Sequence, residues 1–137
     1  MKKVIFACIH NAGRSQMAAA FFNRLADPNK ARALSAGTRP AASVHREVVE
    51  VMREVGIDLS REAPKLLDGG LARDANFLIT MGCGEECPLV AGARRDDWPI
   101  EDPKGLPLER VRAIRDEIRG RVAELVRAEA LAPPSRG

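Results

Sequence analysis

A cysteine and an arginine, six residues apart, bracket a short loop near the start of the chain. Apolar residues 4–7 before the loop predict a strand, and residues 16–25 after it predict a helix. Backbone N–H groups at such a helix N-terminus bind anions, and the Arg14 guanidinium can grip two oxygens at once. The same field stabilises a thiolate at Cys8, and the Ser15 hydroxyl is a further donor to the sulfur. The residues predicted to hold an oxyanion are Cys8, Ile9, His10, Asn11, Ala12, Gly13, Arg14 and Ser15.

Length and composition predict one domain with a single core. The chain has 137 residues, of which 45% are hydrophobic, and its net charge of +3 comes from interleaved basic and acidic residues. That pattern is not typical of nucleic-acid binding or of a basic membrane-surface helix. We expect the domain to span residues 1–131 and residues 132–137 to form a flexible tail.

Cysteine content and apolar segments bear on location. The apolar run near the N-terminus is shorter than the roughly 7 to 15 residues of an export signal, and no segment is predicted to span a bilayer. We therefore expect a cytoplasmic protein, in which three reduced cysteines indicate catalysis or metal binding rather than a disulfide framework.

Strands and helices are predicted to alternate along the chain. This alternation indicates an α/β fold with a mostly parallel sheet covered on both faces. The second helix is expected to start after a Ser43 cap and to stop at Gly56. Further strands are predicted at 31–36, 77–81 and 94–98, and further helices at 44–55, 64–72 and 108–125.

The loop resembles that of a known family. Cys8-X5-Arg14-Ser15 at the end of the first strand is similar to the phosphate-binding loop of the low-molecular-weight protein tyrosine phosphatases. Residues 8–18 look most like their arsenate reductase branch, and the resemblance runs from Lys3 to about Arg127. It implies a single three-layer domain with four parallel strands in the order 2-1-3-4. Cys8, ending the central strand, would then lie where the winding reverses and ligands bind.

The resemblance also implies a mechanism. Cys8 attacks arsenate, held by the loop and Arg14, while Asp102, in the Asp102-Pro103 pair, protonates the departing oxygen. Cys83 then attacks Cys8 and releases arsenite, and Cys87 attacks Cys83 to free Cys8. Thioredoxin would restore the dithiol, phosphate and sulfate would compete with arsenate, and no metal or organic cofactor would be needed.

Two other functions remain open at this point. A low-molecular-weight tyrosine phosphatase would use Cys8, Arg14 and Asp102 alone, although the chain has no tyrosine and only Trp98 near the acid loop to clamp an aromatic ring. Alternatively, Cys8, Cys83, Cys87 and His10 would form a zinc site in a binding or regulatory protein.

Two positions in the loop region limit what the resemblance implies. The His10 side chain is expected to face outward and not to act as a base. Relatives that bind potassium near the loop use an acidic side chain in the first helix, and the matching residue here is Ala19, so the resemblance does not extend to that ion.

Overall fold

The computed structural model describes residues 1–82 and 90–134. The strands in these residues are β1 (Lys2–Cys8), β2 (Ala31–Gly37), β3 (Phe77–Thr80) and β4 (Arg94–Asp97), and the helices are α1 (Arg14–Leu25), α2 (Arg46–Arg53), α3 (Gly69–Ala72) and α4 (Leu108–Ala128). All neighbouring strands are parallel, and their order is β2-β1-β3-β4. The predicted fold class and strand order are confirmed.

The alternation of side chains along β1 divides the interior into two cores. Val4, Phe6 and Cys8 face the larger core, which is formed with α1, α2 and α4. Ile5 and Ala7 face a smaller core on the opposite side of the sheet, around α3. Burial on both faces explains why β1 is a continuous apolar run. Cys8 therefore ends a strand that is fixed on both sides.

The outer edge of β2 is closed by a side chain of α1. Asn23 donates from Nδ2 to the carbonyl of Ala33 at 3.0 Å, and its Oδ1 accepts from the N–H of the same residue at 2.8 Å. One amide thus satisfies both backbone groups of an edge residue, which blunts the edge against pairing with another chain.

The start of the second helix differs from the sequence prediction. The helix begins at Arg46, and its N-cap residue is His45 rather than the predicted Ser43. The N–H of His45 donates to the carbonyl of Ala12 at 2.9 Å, so the chain stays tied to the loop until this residue. The Ser43 cap is therefore wrong.

The predicted helix at 64–72 is also largely wrong. Only Gly69–Ala72 is helical, capped by Asp68, whose Oδ1 accepts from the N–H of Leu71 at 2.8 Å. The preceding residues are extended because Gly37 donates to Lys65 O at 2.8 Å and accepts from Leu67 N at 2.9 Å. Backbone pairing with the end of β2 takes precedence over the local helical pattern.

None of the helices within residues 1–82 and 90–134 combines the length and apolar character needed to cross a bilayer.

An ion-pair cluster fastens α2 to α4 behind the loop. Arg112 donates to both carboxylate oxygens of Glu54, at 2.8 to 3.1 Å, and Arg115 adds a bond at 2.9 Å while also binding the Val51 carbonyl. The hydrogen bond from Arg112, supported by the one from Arg115, holds the pKa of Glu54 below its ordinary value of 4.5. A carboxylate with a lowered pKa stabilises the fold above its ordinary pKa, and that contribution disappears as the pH falls through the lowered value.

Glu54→Gln is expected to lower stability at pH 7, because the neutral amide loses the charge-assisted bonds. The difference from the wild type should shrink as the pH falls below 4.5. Urea unfolding between pH 3 and 7 measures it, with the exposed Glu62→Gln as a control. A stability difference between the wild type and Glu54→Gln that stays constant from pH 3 to 7 would contradict a lowered pKa of Glu54.

Candidate active site

The carbonyl groups of the loop between β1 and α1 are turned outward. They accept hydrogen bonds from the segment that connects β2 to α2. The bonds are Thr38 N to Cys8 O at 3.2 Å, Arg39 N to Ile9 O at 2.8 Å, Ala41 N to His10 O at 2.9 Å and His45 N to Ala12 O at 2.9 Å. In a planar trans peptide the N–H points opposite to the carbonyl, and no cis peptide bond occurs among the described residues. The N–H groups that follow these carbonyls therefore face inward.

The first turn of α1 supplies further inward-facing donors. Its N-cap is Gly13, which has no side chain to cap the helix, and the first intrahelical bond of the turn runs from Met17 N to Gly13 O at 3.0 Å. The N–H groups of the first turn have no intrahelical acceptor, and the helix dipole adds positive potential there. Together, the loop and the helix end form a cradle for an anion above Cys8.

The Cys8 sulfur is buried and hydrogen-bonded at the base of this cradle. Its side chain is 3% exposed, and Sγ lies 2.9 Å from Ser15 Oγ and 3.3 Å from the N–H of Asn11. Both contacts suit a thiolate, because a sulfur anion accepts hydrogen bonds better than a neutral thiol does. The sequence prediction that Ser15 reaches the sulfur agrees with this geometry.

Asn11 fixes the direction of the Ser15 bond. Its Oδ1 accepts from the backbone N–H of Lys65 at 2.9 Å, and its Nδ2 donates to Ser15 Oγ at 2.7 Å. A backbone N–H can only donate, so the Asn11 atom facing Lys65 is oxygen and the atom facing Ser15 is nitrogen. Ser15 then accepts from Asn11, and its own proton is free to be donated to Cys8. Sequence reasoning missed Lys65, because its contribution comes from the backbone and leaves no side-chain signal.

Asn11 also meets a conformational requirement of the loop. Its φ of 50° lies in the left-handed region, which asparagine tolerates better than most residues. The side chain and the backbone conformation of this residue therefore serve the same site.

Arg14 joins the loop to the segment that follows β4. It is 7% exposed, its Nη1 donates to the carbonyl of Ile100 at 2.9 Å, and its Nη2 lies 3.8 Å from Asp102 Oδ2. A guanidinium carries five N–H donors, so anchoring through Ile100 is compatible with holding an oxyanion. The predicted pair of Arg14 and Asp102 is thus brought together.

Gly82, two residues beyond the end of β3, provides the surface on which Arg14 lies. A Cβ atom at this residue would be 2.2 Å from Arg14 Nη1, and its φ is +83°. No other residue fits without displacing the guanidinium.

The loop that carries Asp102 contacts the anion loop directly. A Cβ atom at Gly13 would lie 2.9 Å from Cγ of Pro103, so the two loops are in van der Waals contact. The Asp102 side chain is 46% exposed and accepts from the N–H of Lys104 at 3.0 Å. Pro103 thereby sets the distance between the acid loop and the anion cradle.

The remaining predicted residues are placed as follows. Cys83 and Cys87 lie outside the described residues. The Nδ1 atom of His10 is 3.1 Å from the carbonyl of Arg39 in an exposed contact, which agrees with the prediction that this side chain faces outward. In the part of the chain that the structure describes, no three His, Cys, Asp or Glu side chains cluster closely enough to hold a metal ion.

The Trp98 side chain packs in the core and is not exposed beside the site. It is 6% exposed and packs in the core with its ring centroid 5.7 Å from that of Phe6. The four phenylalanines of the chain are also buried, and the chain has no tyrosine. No aromatic side chain is therefore available to clamp a phosphotyrosine ring.

The fold and the loop define an α/β enzyme class in which a cysteine lies at the base of an anion-binding loop at the end of a central parallel strand. The sequence profile described as low molecular weight phosphotyrosine protein phosphatase matches residues 3–133. The chain belongs to this family.

Relatives with arsenate reductase names resemble the chain over most of its length. A glutaredoxin arsenate reductase from Synechocystis is 36% identical over 129 residues, which cover 92% of this chain and 97% of the relative. An arsenate reductase from Staphylococcus aureus is 32% identical over 123 residues, covering 86% and 91%. A thioredoxin-dependent arsenate reductase structure from Corynebacterium glutamicum has a TM-score of 0.82 and 37% identity, covering 96% of this chain but 63% of that one.

Gly82→Ala is expected to weaken oxyanion binding by displacing Arg14. The phosphate concentration that protects Cys8 from iodoacetamide should rise about 10- to 100-fold, as expected for the loss of a hydrogen bond to a charged group. Peptide-resolved mass spectrometry measures the protection.

Gly92→Ala is the matched control, because Gly92 has a φ of +80° but nothing within 4 Å of its Cβ position. Because the φ values at the two glycines are +83° and +80°, an alanine should meet a similar backbone penalty at each. Equal protection of Cys8 in the two variants would mean that Gly82 does not support Arg14.

Proposed function

We propose that the protein reduces arsenate to arsenite, with Cys8 as the nucleophile, and thereby detoxifies arsenic. The observation that carries the proposal is the Cys8 sulfur, hydrogen-bonded to Ser15 and Asn11 beneath a loop whose N–H groups face inward. Arsenate has the tetrahedral shape and charge of phosphate, so a phosphate cradle accepts it. The arsenate reductase names of the relatives support the same substrate.

The first step forms a bond between sulfur and arsenic. The Cys8 thiolate attacks arsenic while the loop and Arg14 hold the oxygens, and one arsenic–oxygen bond breaks. Asp102, 3.8 Å from Arg14, donates a proton so that this oxygen leaves as water. Arsenic remains in its oxidised state at this point.

The second step is the reduction. The Cys83 thiolate attacks the Cys8 sulfur and forms a disulfide, and the electron pair of the sulfur–arsenic bond passes to arsenic, which leaves as arsenite. Cys87 then attacks Cys83, so that a Cys83–Cys87 disulfide forms and Cys8 is released as a thiolate. Gly82, the residue before Cys83 in the sequence, lies against the Arg14 guanidinium, and this supports the proposal that the second thiol attacks the first.

An external dithiol must then reduce the Cys83–Cys87 bond. Thioredoxin is the proposed donor, since the Corynebacterium glutamicum structure belongs to a thioredoxin-dependent reductase. The Synechocystis relative is named for glutaredoxin, which makes glutaredoxin the alternative to test.

Tyrosine phosphatase activity is the weaker candidate. Phosphate-ester hydrolysis needs Cys8, Arg14 and Asp102 but not the second and third cysteines. The burial of every aromatic residue leaves the site without a clamp for a phenyl ring, which favours a small inorganic anion as substrate.

Cysteine variants should separate the reductase from a phosphatase. Cys8→Ser is expected to abolish activity, and Cys83→Ser to stop at the arsenylated Cys8. Cys87→Ser should release one arsenite per chain and then stall as a Cys8–Cys83 disulfide. Arsenate-dependent NADPH oxidation with thioredoxin and its reductase, repeated with glutaredoxin or a small thiol, gives turnover, and peptide mapping gives the disulfides. Repeated turnover of Cys87→Ser with thioredoxin alone would rule out this order of thiols.

Asp102→Asn should lower the rate of the first step by roughly 10² to 10⁴-fold if Asp102 is the general acid, with little change in phosphate affinity. Single-turnover arsenite release measures this rate. Glu101→Gln is the control, because the adjacent Glu101 is bound to Arg110 at 2.8 and 2.9 Å. Equal rates in both variants would show that another group supplies the proton.

A further inference from the structure

The side chain of Gln16 is buried behind the anion loop and takes no direct part in the proposed reaction. It is 3% exposed, and its Nε2 donates to the backbone carbonyl of Asn11 at 3.1 Å and to Asn11 Oδ1 at 3.2 Å. Both partners are oxygen acceptors, so the Gln16 atom that faces them is the nitrogen and both of its protons are used.

Asn11 is the one loop residue that contacts the sulfur both directly and through another side chain. Its N–H points at Cys8 Sγ at 3.3 Å, and its Nδ2 holds Ser15 Oγ, which lies 2.9 Å from the same sulfur. Asn11 is fully buried and has a left-handed backbone. Any rotation of this residue would alter both donors to Cys8.

We propose that Gln16 is a positioning residue that holds Asn11 so that both donors remain aimed at the Cys8 thiolate. One bond from Gln16 fixes the backbone of Asn11, and the other fixes its side-chain amide. The backbone N–H of Lys65 also binds that amide, through Asn11 Oδ1, but it does not bind the Asn11 carbonyl. The N–H of Asn11 follows the His10 carbonyl, which Ala41 holds. Gln16 holds the other two groups of Asn11, its own carbonyl and its side-chain amide, and so limits rotation of the residue between them.

The proposal rests on the proposed function for its catalytic meaning, but its test does not require arsenate. Iodoacetamide reacts with the thiolate form of cysteine, so the alkylation rate of Cys8 at neutral pH reports how well the thiolate is stabilised. At a pH where the thiol is fully ionised in every variant, the rate reports access and the intrinsic nucleophilicity of the thiolate, which does not fall when hydrogen-bond donors to sulfur are lost.

Gln16→Met retains the length of the side chain and removes both N–H donors. Its Cys8 alkylation rate at pH 7 should fall about three- to tenfold, with no fall in the rate at pH 10. Gln16→Glu should lower the rate at pH 7 further, because its carboxylate would face two oxygens of Asn11. Mass spectrometry resolves the Cys8 peptide from the other cysteines.

Asn23→Ala is the matched control. Asn23 lies two turns further along α1, lines the same cavity of 240 Å³ as Gln16 and hydrogen-bonds to backbone through its amide, but its partner is Ala33. It should lose stability without a change in the pH profile of Cys8 alkylation.

Two results would overturn the proposal. One is a Gln16→Met rate that equals the wild-type rate at pH 7, and the other is a rate that falls equally at pH 7 and pH 10, which would indicate altered access. Failure of arsenate reduction with the expected alkylation pattern would instead count against the proposed function and leave the role of Gln16 intact.

Discussion

The site depends on the hydrogen bonds that turn the loop carbonyls outward. A loop that is free to rotate presents both carbonyl oxygens and N–H groups to the same space. The negative ends of the carbonyl dipoles then offset the attraction of the N–H groups for an anion. Here the segment between β2 and α2 binds four carbonyls, of Cys8, Ile9, His10 and Ala12, and planarity of the peptide leaves the N–H groups on the other side. The proposed oxyanion site is thus shaped by backbone that lies about 30 residues further along the chain, since Thr38 binds the Cys8 carbonyl and Arg39 the Ile9 carbonyl.

Two glycines allow neighbouring segments to pack closely against the anion loop and its arginine. At Gly37, paired with Cys8, a Cβ atom would lie 2.5 Å from the carbonyl oxygen of Ile9. Gly82 receives the guanidinium of Arg14 in the same way. Each glycine permits an approach that any side chain would block, so the cradle, the arginine and the sheet edge form one packed unit.

The sequence predicts the part of the site that lies in one contiguous stretch of residues. Cys8 ends a strand and Arg14 and Ser15 begin a helix, as the sequence predicts, and the structure places Ser15 beside the Cys8 sulfur. The family resemblance implies the role of Asp102 and the strand order, and the Asp102 carboxylate lies 3.8 Å from the Arg14 guanidinium. The Ser43 cap and the helix at 64–72 failed because distant backbone partners, Ala12 and Gly37, compete for the local N–H and carbonyl groups. Lys65 could not be foreseen, since its backbone N–H contacts Asn11 across 54 residues.

The contact between Gly13 and Pro103 bears on how ligands enter. Because Pro103 already packs against the anion loop, the acid-bearing segment needs no inward movement to reach it, and this side of the cleft is formed before a ligand binds. A ligand that fits such a preformed cleft loses its own freedom on binding but need not order the protein, which keeps the entropic penalty of association small. On this side, therefore, an incoming solute meets a surface of proline ring and loop backbone that is in place before it arrives.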